Sequence, residues 1–288
     1  MISGFLASWG LFSQAYITAW LIGILLSLVG VLVVARDQIF LGAAVSQAAT
    51  LGIAVAMVLG ELLPGDHLTW LRSDSVLSVM AVSFSTLAAL LTVRRGQTSG
   101  ESHEALTGWV FLGSASLAIL IMAHSPHGLA EIQRLLSSSL IGATASDVWV
   151  FGVCTAGTVV ALCVGHRRVL LLAMDPAMAM AAGLRVTLWA VALTVWLGLM
   201  VGLSLRVSGT LYTFGCLVLP ALIAKNLCRE ARPLFLVAPL IALSIGALGC
   251  VLADATDSPP AQMTVALLSL ALVIAWLIRW LRHRATTA

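Results

Sequence analysis

The side chains best suited to binding a metal ion are two histidines, His124 and His127, in the segment HSPHG. Glu131 follows His127 by four residues and adds a carboxylate. A histidine pair at i and i+3 could hold a metal, but Pro126 disturbs the helix and no fourth ligand is evident. We therefore treat the two histidines as weak metal-site candidates, with an ordinary solvated loop as the alternative.

A second group of polar side chains lies in residues 36–60, RDQIFLGAAVSQAATLGIAVAMVLG. Its Gly and Ala residues leave one helix surface nearly free of bulky side chains, which allows close helix contacts in a bilayer. Ser46, Gln47 and Thr50 carry polar groups that are costly to place in hydrocarbon. The segment is therefore predicted to face protein or a watery path. The alternative is a tightly packed interior helix whose polar groups bond to neighbouring backbones.

Catalytic motifs are missing from the sequence. It contains no GxxxxGK[ST] motif, and therefore no P-loop for ATP, and neither HExxH nor GxSxG occurs. The centres of the apolar segments carry no Asp, Glu, Lys or Arg, although ion-coupled carriers usually keep such a group there. The sequence thus predicts no enzyme and disfavours a self-powered transporter, although backbone carbonyls can also coordinate ions.

The composition indicates which elements must position these residues. The chain has 288 residues, of which 60% are hydrophobic and 9% charged, against about 25% charged in a soluble domain. Its basic residues are scattered between apolar segments, so nucleic-acid binding has no support. Five cysteines lie in or beside apolar segments without metal-ligand spacing, and are predicted to be free thiols. The predicted fold is an all-α polytopic membrane protein surrounded by lipid.

Nine apolar windows approach the roughly 20 residues needed to cross a bilayer, so eight or nine transmembrane helices are predicted. The polar segment 129–141 is predicted to be an amphipathic surface helix. An N-terminus outside the cell puts 12 of the 15 Lys and Arg residues on the cytoplasmic side, together with the C-terminus. The nine windows are 11–35, 39–60, 75–93, 107–124, 147–165, 186–205, 208–228, 233–253 and 262–281.

The predicted cytoplasmic loop 166–185 contains the signals of a short capped helix. Asp175 is the expected N-cap, Pro176 takes the first helical position, and Gly183 is the expected C-cap. Such a helix could dock a partner, or it could be a simple interfacial connector. Further along, glycine and proline predict kinks or close helix contacts at Gly209, Pro220 and Pro259.

Six segments resemble, in order, those of the membrane subunit of the metal-type ABC importer family, whose members are permeases for zinc, manganese and iron(II). LGAAVSQAATLG at 41–52 is similar to the family's LGDALSHAxLPG-like segment, and DPAMAMAAGL at 175–184 is similar to its cytoplasmic coupling element. The other four are ESHEALTGWVF at 101–111, SSSLIGATASDVW at 137–149, SGTLYTFGCLVLPALIAK at 208–225 and TDSPPAQMTVAL at 256–267.

The resemblance implies a single permease domain over residues 1–288 in the inner, cytoplasmic membrane. Two such chains, identical or paired with a relative, would form a path driven by two cytoplasmic ATPase subunits. A periplasmic or surface solute-binding protein would deliver the metal. This chain would bind no cofactor, since ATP is used by the partner. The path would be lined by Ala43, Ser46, Gln47 and Thr50. The ATPase would contact Asp175, Pro176, Ala179, Ala182 and Gly183.

The chain departs from the family at the residues expected to touch the metal, because Ala43 and Gln47 replace an Asp and a His. Gln is a poor Zn²⁺ ligand beside imidazole or carboxylate. A partner chain could supply the missing ligands, the path could hold the ion weakly, or the substrate could differ. Zinc is expected slightly ahead of manganese. The alternatives are a permease for a metal complex or small organic ligand, or a non-catalytic scaffold subunit of a membrane complex.

Overall fold

The computed structural model describes residues 2–62, 73–98, 102–123, 140–174, 176–228 and 230–287. The regular secondary structure of these residues is helical, with no β-strand among them. A 3₁₀ turn, Leu140–Gly142, precedes the fifth helix. The helices are α1 (Ile2–Ala35), α2 (Ile39–Leu62), α3 (Asp74–Thr98), α4 (His103–Met122), α5 (Ala145–Met174), α6 (Pro176–Ala181), α7 (Val186–Leu227), α8 (Ala231–Thr256) and α9 (Pro260–Thr287).

Within this described part, eight helices are long and apolar enough to cross a membrane, and only α6 is not. The predicted all-α polytopic membrane fold, with a short helix between two spans, is confirmed. The surface helix predicted over 129–141 lies outside the described residues, except for Leu140 and Ile141 in the 3₁₀ turn.

The sixth and seventh apolar windows belong to one element, α7, which has 42 residues. A straight helix of that length would extend about 63 Å, twice the roughly 30 Å hydrocarbon core. Gly209 interrupts it with φ 73° and ψ 172°. Since glycine adopts positive φ without a Cβ clash, the two halves meet with no loop between them. Among the described residues, the count of candidate spans is therefore eight by helices, or nine when the halves of α7 are counted separately.

The chain divides into two compact units, and the predicted single permease domain over 1–288 stays a prediction. The first unit comprises residues 1–37, 139–166 and 214–288. In it, α1 packs against α8, and α8 packs against α9. Gly30 lets α1 approach the backbone of Leu217 so closely that an added Cβ would overlap its carbonyl oxygen. Lys225 Nζ lies 3.2 Å from Asp37 Oδ1 at the other end of this contact.

The second unit comprises residues 38–138 and 167–213, and its centre is α2, which packs against α3 and α4. The N-terminal half of α7 lies antiparallel to α3, because Gly198 abuts Thr86 and Gly202 abuts Val82. Ser85 Oγ donates a hydrogen bond to the Gly198 carbonyl at 2.7 Å, which joins the two helices. The helices in this unit therefore pack through small residues at close range.

An ion pair at the end of that contact joins Arg206 to Asp74, with 3.2 Å between Nη1 and Oδ1. The orientation predicted from the Lys and Arg residues places Asp74 and Arg206 on the outer side of the membrane. It places Asp37 and Lys225 on the inner side. Each ion pair therefore joins groups predicted to lie on the same side of the membrane.

Candidate functional site

Helix α2 is built from small residues because its neighbours leave no room for larger ones. Ala44 and Ala48 are buried with Ala88 of α3 and Val110 of α4. At Gly52, an added Cβ would lie 2.5 Å from the Met80 carbonyl oxygen of α3. Most of the apolar part of α2 is buried inside the second unit, as the Gly and Ala content of residues 36–60 predicts.

Two of the predicted path residues, Ser46 and Thr50, lie on the closely packed side of α2. Both are buried. Ser46 Oγ donates to the Gly42 carbonyl at 2.8 Å, and Thr50 Oγ1 donates to the Ser46 carbonyl at 3.1 Å. Their hydroxyls are thus satisfied within their own helix, an arrangement open to Ser and Thr because their hydroxyl groups reach the carbonyl four residues back.

Ala43 and Gln47, the other two, lie on a less buried face of α2 together with Leu51 and Val55. The spacing of four residues stacks them on one side of the helix. Gln47 makes no side-chain hydrogen bond within the described part of the chain. Of the three predicted polar path residues, Gln47 is therefore the one whose side chain forms no hydrogen bond within its own helix.

The turn that precedes α2 carries Arg36, which lies outside the spanning helices. Burial lowers the pKa of this guanidinium below its ordinary value, because burial removes water from the charged form. An arginine nevertheless keeps its proton at neutral pH. Arg36 thus carries a positive charge at the end of α2 that is predicted to be cytoplasmic.

The weak metal-site candidates His124 and His127 lie outside the described residues. Across the ranges that the structure does describe, no three His, Cys, Asp or Glu side chains come together in a way that could hold a metal ion.

Helix α6 is short and exposed, and its C-terminus has defined hydrogen bonds. The Leu184 N–H donates to the Ala179 carbonyl at 3.0 Å, and the Gly183 N–H donates to the Met180 carbonyl at 2.9 Å. With Gly183 at φ 79°, this pair of bonds is a Schellman motif. Ala179 is buried, whereas Ala182 and Gly183 are exposed. Pro176 begins α6, and Asp175, the predicted N-cap, lies outside the described residues.

The three predicted kink positions differ in their surroundings. Gly209 has non-helical dihedral angles, whereas Pro220 is buried in α7 without a further break in the helix. Pro259 lies just before α9, and its carbonyl accepts a hydrogen bond from the Met263 N–H at 3.1 Å. Pro259 is therefore part of a helix start rather than of a bend within a helix.

Four Ser and Thr residues around Gly209 were missed by the sequence reasoning: Ser204, Ser208, Thr210 and Thr213. All four are buried. The available signal was their density, since residues 204–213 contain five hydroxyl side chains around a glycine, these four and that of Tyr212.

The fold defines a multi-pass α-helical membrane protein with a short exposed helix between two spans. The profile of the ABC 3 transport family matches residues 8–279, and the chain belongs to that family. This confirms the predicted resemblance to ABC permeases. As a permease of that class, the chain is not itself the ATPase.

Two relatives and one solved structure show how far the similarity extends. The chain is 23% identical over 239 residues to the manganese import system permease protein ScaB of Streptococcus parasanguinis, covering 83% of this chain and 79% of ScaB. It is 22% identical over 233 residues to the manganese transport system membrane protein MntC of Listeria innocua, covering 81% and 78%. A structure of PsaBC from Streptococcus pneumoniae in complex with a Fab has the same fold, with a TM-score of 0.79, 19% identity, and coverage of 96% and 95%.

Proposed function

We propose that this chain is the permease subunit of an ATP-driven importer for divalent metal ions, with manganese as the first substrate candidate and zinc as the second. The observation that carries the proposal is the family match over residues 8–279. The names of the relatives, manganese import and manganese transport proteins, support the choice of metal.

The donor atoms along α2 also favour manganese over zinc. The sequence alone put zinc slightly ahead, but Gln47 offers an amide oxygen, and α2 carries no imidazole or thiolate. Oxygen ligands suit Mn²⁺, whereas imidazole and thiolate suit Zn²⁺. A weak ligand also suits a path, because an ion that enters must be released.

The partners follow from the same proposal. Two permease chains, identical or related, enclose the path, with Gln47 and Ala43 on its wall. Two cytoplasmic ATPase subunits bind the exposed α6, and a solute-binding protein delivers the ion from outside. The N-terminus lies outside and the C-terminus in the cytoplasm of the cell's inner membrane. The ion pairs Asp74–Arg206 and Asp37–Lys225 support the alternation of spans on which that orientation rests, since each links residues predicted on one side.

The test is metal uptake by vesicles that contain the permease, its ATPase and its binding protein. ATP-dependent uptake of labelled Mn²⁺ is expected to exceed that of Zn²⁺ and Fe²⁺. Gln47→Leu should reduce Mn²⁺ uptake, and Gln47→Asn should retain part of it, because Asn keeps the amide. Val55→Ala, on the same face of α2, is the control that changes bulk but no polar group.

Uptake by Gln47→Leu at the wild-type rate would make Gln47 a packing residue. Uptake of Zn²⁺ ahead of Mn²⁺ would restore the order expected from the sequence. Absence of ATP-dependent uptake for all three ions would reject the importer of free metal ions.

A second candidate is a permease for a metal complex, favoured by Ala43 and Gln47 standing where the family has Asp and His. A metal already held by a chelator needs no protein ligand, and a small Ala43 leaves room for a larger substrate. Vesicles that import a labelled metal chelate but no free ion would support this candidate over the first.

A further inference from the structure

The last helix, α9, carries an exposed stripe of large apolar side chains that ends in an arginine. Trp276, Leu277, Trp280 and Leu281 are all exposed, and Arg284 is exposed four residues after Trp280. Side chains three and four residues apart lie on one face of a helix, so these five residues share a face, here called the α9 stripe. The apolar span of α9 ends at Leu281, so the arginine lies just beyond it.

The guanidinium of Arg284 lies over the ring of Trp280, with 3.8 Å between Cζ and the ring centroid. The negative face of an indole attracts a cation, and Trp is the strongest aromatic partner for it. A guanidinium that stacks by its face directs its N–H groups within its own plane. That plane matches a phosphate group, which accepts two parallel hydrogen bonds from an arginine.

A second arginine attaches the end of α9 to the end of α7 within the first unit. Arg279 Nη1 donates to Asn226 Oδ1 at 3.0 Å, and Asn226 Nδ2 donates to the Leu222 carbonyl at 2.8 Å. Arg279 and Arg284 lie on different sides of α9, because five residues turn a helix by about 140° beyond a full turn. The contact with α7 therefore holds the end of the helix while the α9 stripe faces outward.

The chain near this contact has an excess of positive charge. Residues 225–232 contain three basic residues and one acid, Glu230, and residues 279–284 contain three arginines and no acid. Lys225 is paired with Asp37, with 3.2 Å between Nζ and Oδ1. The remaining excess lies at the end of the apolar stripe that is predicted to be cytoplasmic. Basic residues at that position are attracted to anionic lipids of the cytoplasmic leaflet.

Helix α5 shows the same two features apart from each other. Trp149 is 76% exposed, but no Lys or Arg lies within ten residues of it in the sequence. Arg168 is exposed, but no Trp, Tyr or Phe lies within four residues of it. An isolated Trp is typical of the aromatic belt at any membrane surface. The α9 stripe differs because its Trp and its Arg are in contact.

We propose that the α9 stripe binds an anionic phospholipid, with the acyl chains along Trp276 and Leu277 and the phosphate at Arg284. A soluble anion would make no use of the apolar side chains. The proposed ATPase subunits lie in the cytoplasm, so they do not reach side chains within the span, such as Trp276. The lipid site does not depend on which metal the importer carries.

The test is lipid binding by the full chain purified in detergent. Phosphatidylglycerol should raise the thermal midpoint more than phosphatidylcholine with the same acyl chains, because a ligand of the folded state stabilises it. Native mass spectrometry measures the bound lipid. Arg284→Gln should lower the affinity for phosphatidylglycerol about fivefold, the effect of one basic residue at a membrane surface, and should leave phosphatidylcholine binding unchanged.

Two substitutions of Trp280 test whether the ring supports the arginine. Trp280→Leu keeps an apolar side chain but removes the aromatic face, so the affinity for phosphatidylglycerol should fall. Trp280→Phe should retain more of it, because a phenyl ring still attracts the guanidinium. Equal affinities in these two variants would overturn the role of the stacked pair.

The control is Arg168→Gln, which removes the same charge from an exposed arginine of α5 and should bind phosphatidylglycerol like the wild type. A loss as large as that of Arg284→Gln would indicate general attraction to basic residues and would overturn the site. Unchanged affinity in Arg284→Gln would overturn it too, as would an equal rise of the midpoint with inorganic phosphate. Loss of ATPase co-purification in Arg284→Gln, with lipid affinity unchanged, would assign this surface to the ATPase instead.

Discussion

Helices α2 and α5 both carry glycine within an apolar span, yet their surroundings are opposite. In α2, 72% of the apolar window is buried, against 17% in α5. A Cβ added at Gly52 would lie 2.5 Å from the Met80 carbonyl oxygen, whereas one at Gly157 would meet nothing within 4 Å among the described residues. In α5, Trp149 and Val164 are 76% and 85% exposed. The comparison teaches that a glycine marks close packing only where a neighbouring backbone occupies the missing side chain's place.

The largest expected effect comes from making the same change in both helices. Gly52→Ala should destabilise the protein by about 1–3 kcal/mol, because the added methyl group must push α2 away from the α3 backbone. Gly157→Ala should cause no loss, because space is open and alanine is the better helix former. Thermal unfolding of the two purified variants in the same detergent measures the difference.

Equal losses of stability in the two variants would contradict this comparison, because the close packing around Gly52 would then have no effect on stability. A loss only in Gly157→Ala would place α5 against another chain, as expected if this face joins the two permeases. Crosslinking at Trp149→Cys would separate that outcome from simple misfolding.

Gly183 represents a third kind of glycine, with open space around it but φ 79°. Gly183→Val should disfavour the Schellman turn, because a left-handed conformation costs a residue with a Cβ about 1–2 kcal/mol. If α6 binds the ATPase, co-purification of the ATPase should fall roughly 5–30-fold. Gly183→Asn is the matched control, since asparagine tolerates this conformation and should retain most of the binding.

Loss of the ATPase in both variants would indicate that the small size of Gly183, rather than its backbone conformation, matters for docking. Undiminished co-purification with Gly183→Val would remove α6 from the ATPase contact. Either result would distinguish glycines that are needed for their small size at a contact from glycines that are needed for their backbone conformation in a turn.

Local signals predicted most of the fold and the shape of α6. Windows of about 20 apolar residues identify spans because the bilayer sets their length. Asp-Pro and Gly predicted where the short helix begins and ends, because capping depends on residues close in sequence. The division of α7 was less predictable, because apolarity alone does not show whether a single glycine separates two helices.

The surroundings of the predicted path residues could not be read from the sequence. Ser46, Gln47 and Thr50 all read as polar groups within a span, yet two bond to their own helix and Gln47 does not. Which face of α2 is buried depends on α3 and α4, which are distant in sequence. The density of hydroxyls around Gly209 is visible in the sequence, but the complete burial of Ser204 is not, because burial depends on neighbouring helices.

The smallest expected effects are those of the two ion pairs, where the same reasoning about neighbours applies to charge. Both pairs have 3.2 Å between nitrogen and oxygen, but the Arg206 side chain is 22% exposed and the Lys225 side chain 49%. Exposed ion pairs contribute about 0–1 kcal/mol, and less where both partners are well solvated.

Double-mutant cycles with Asp74→Asn and Arg206→Gln, and with Asp37→Asn and Lys225→Gln, should give a larger coupling for the first pair. Thermal unfolding at low and at 1 M salt measures both couplings, and salt should weaken the second more, since Lys225 is more exposed than Arg206. Equal couplings with equal salt dependence would mean that burial of Arg206 does not strengthen its ion pair. The effect of neighbouring residues seen at the glycines would then not apply to these charged side chains.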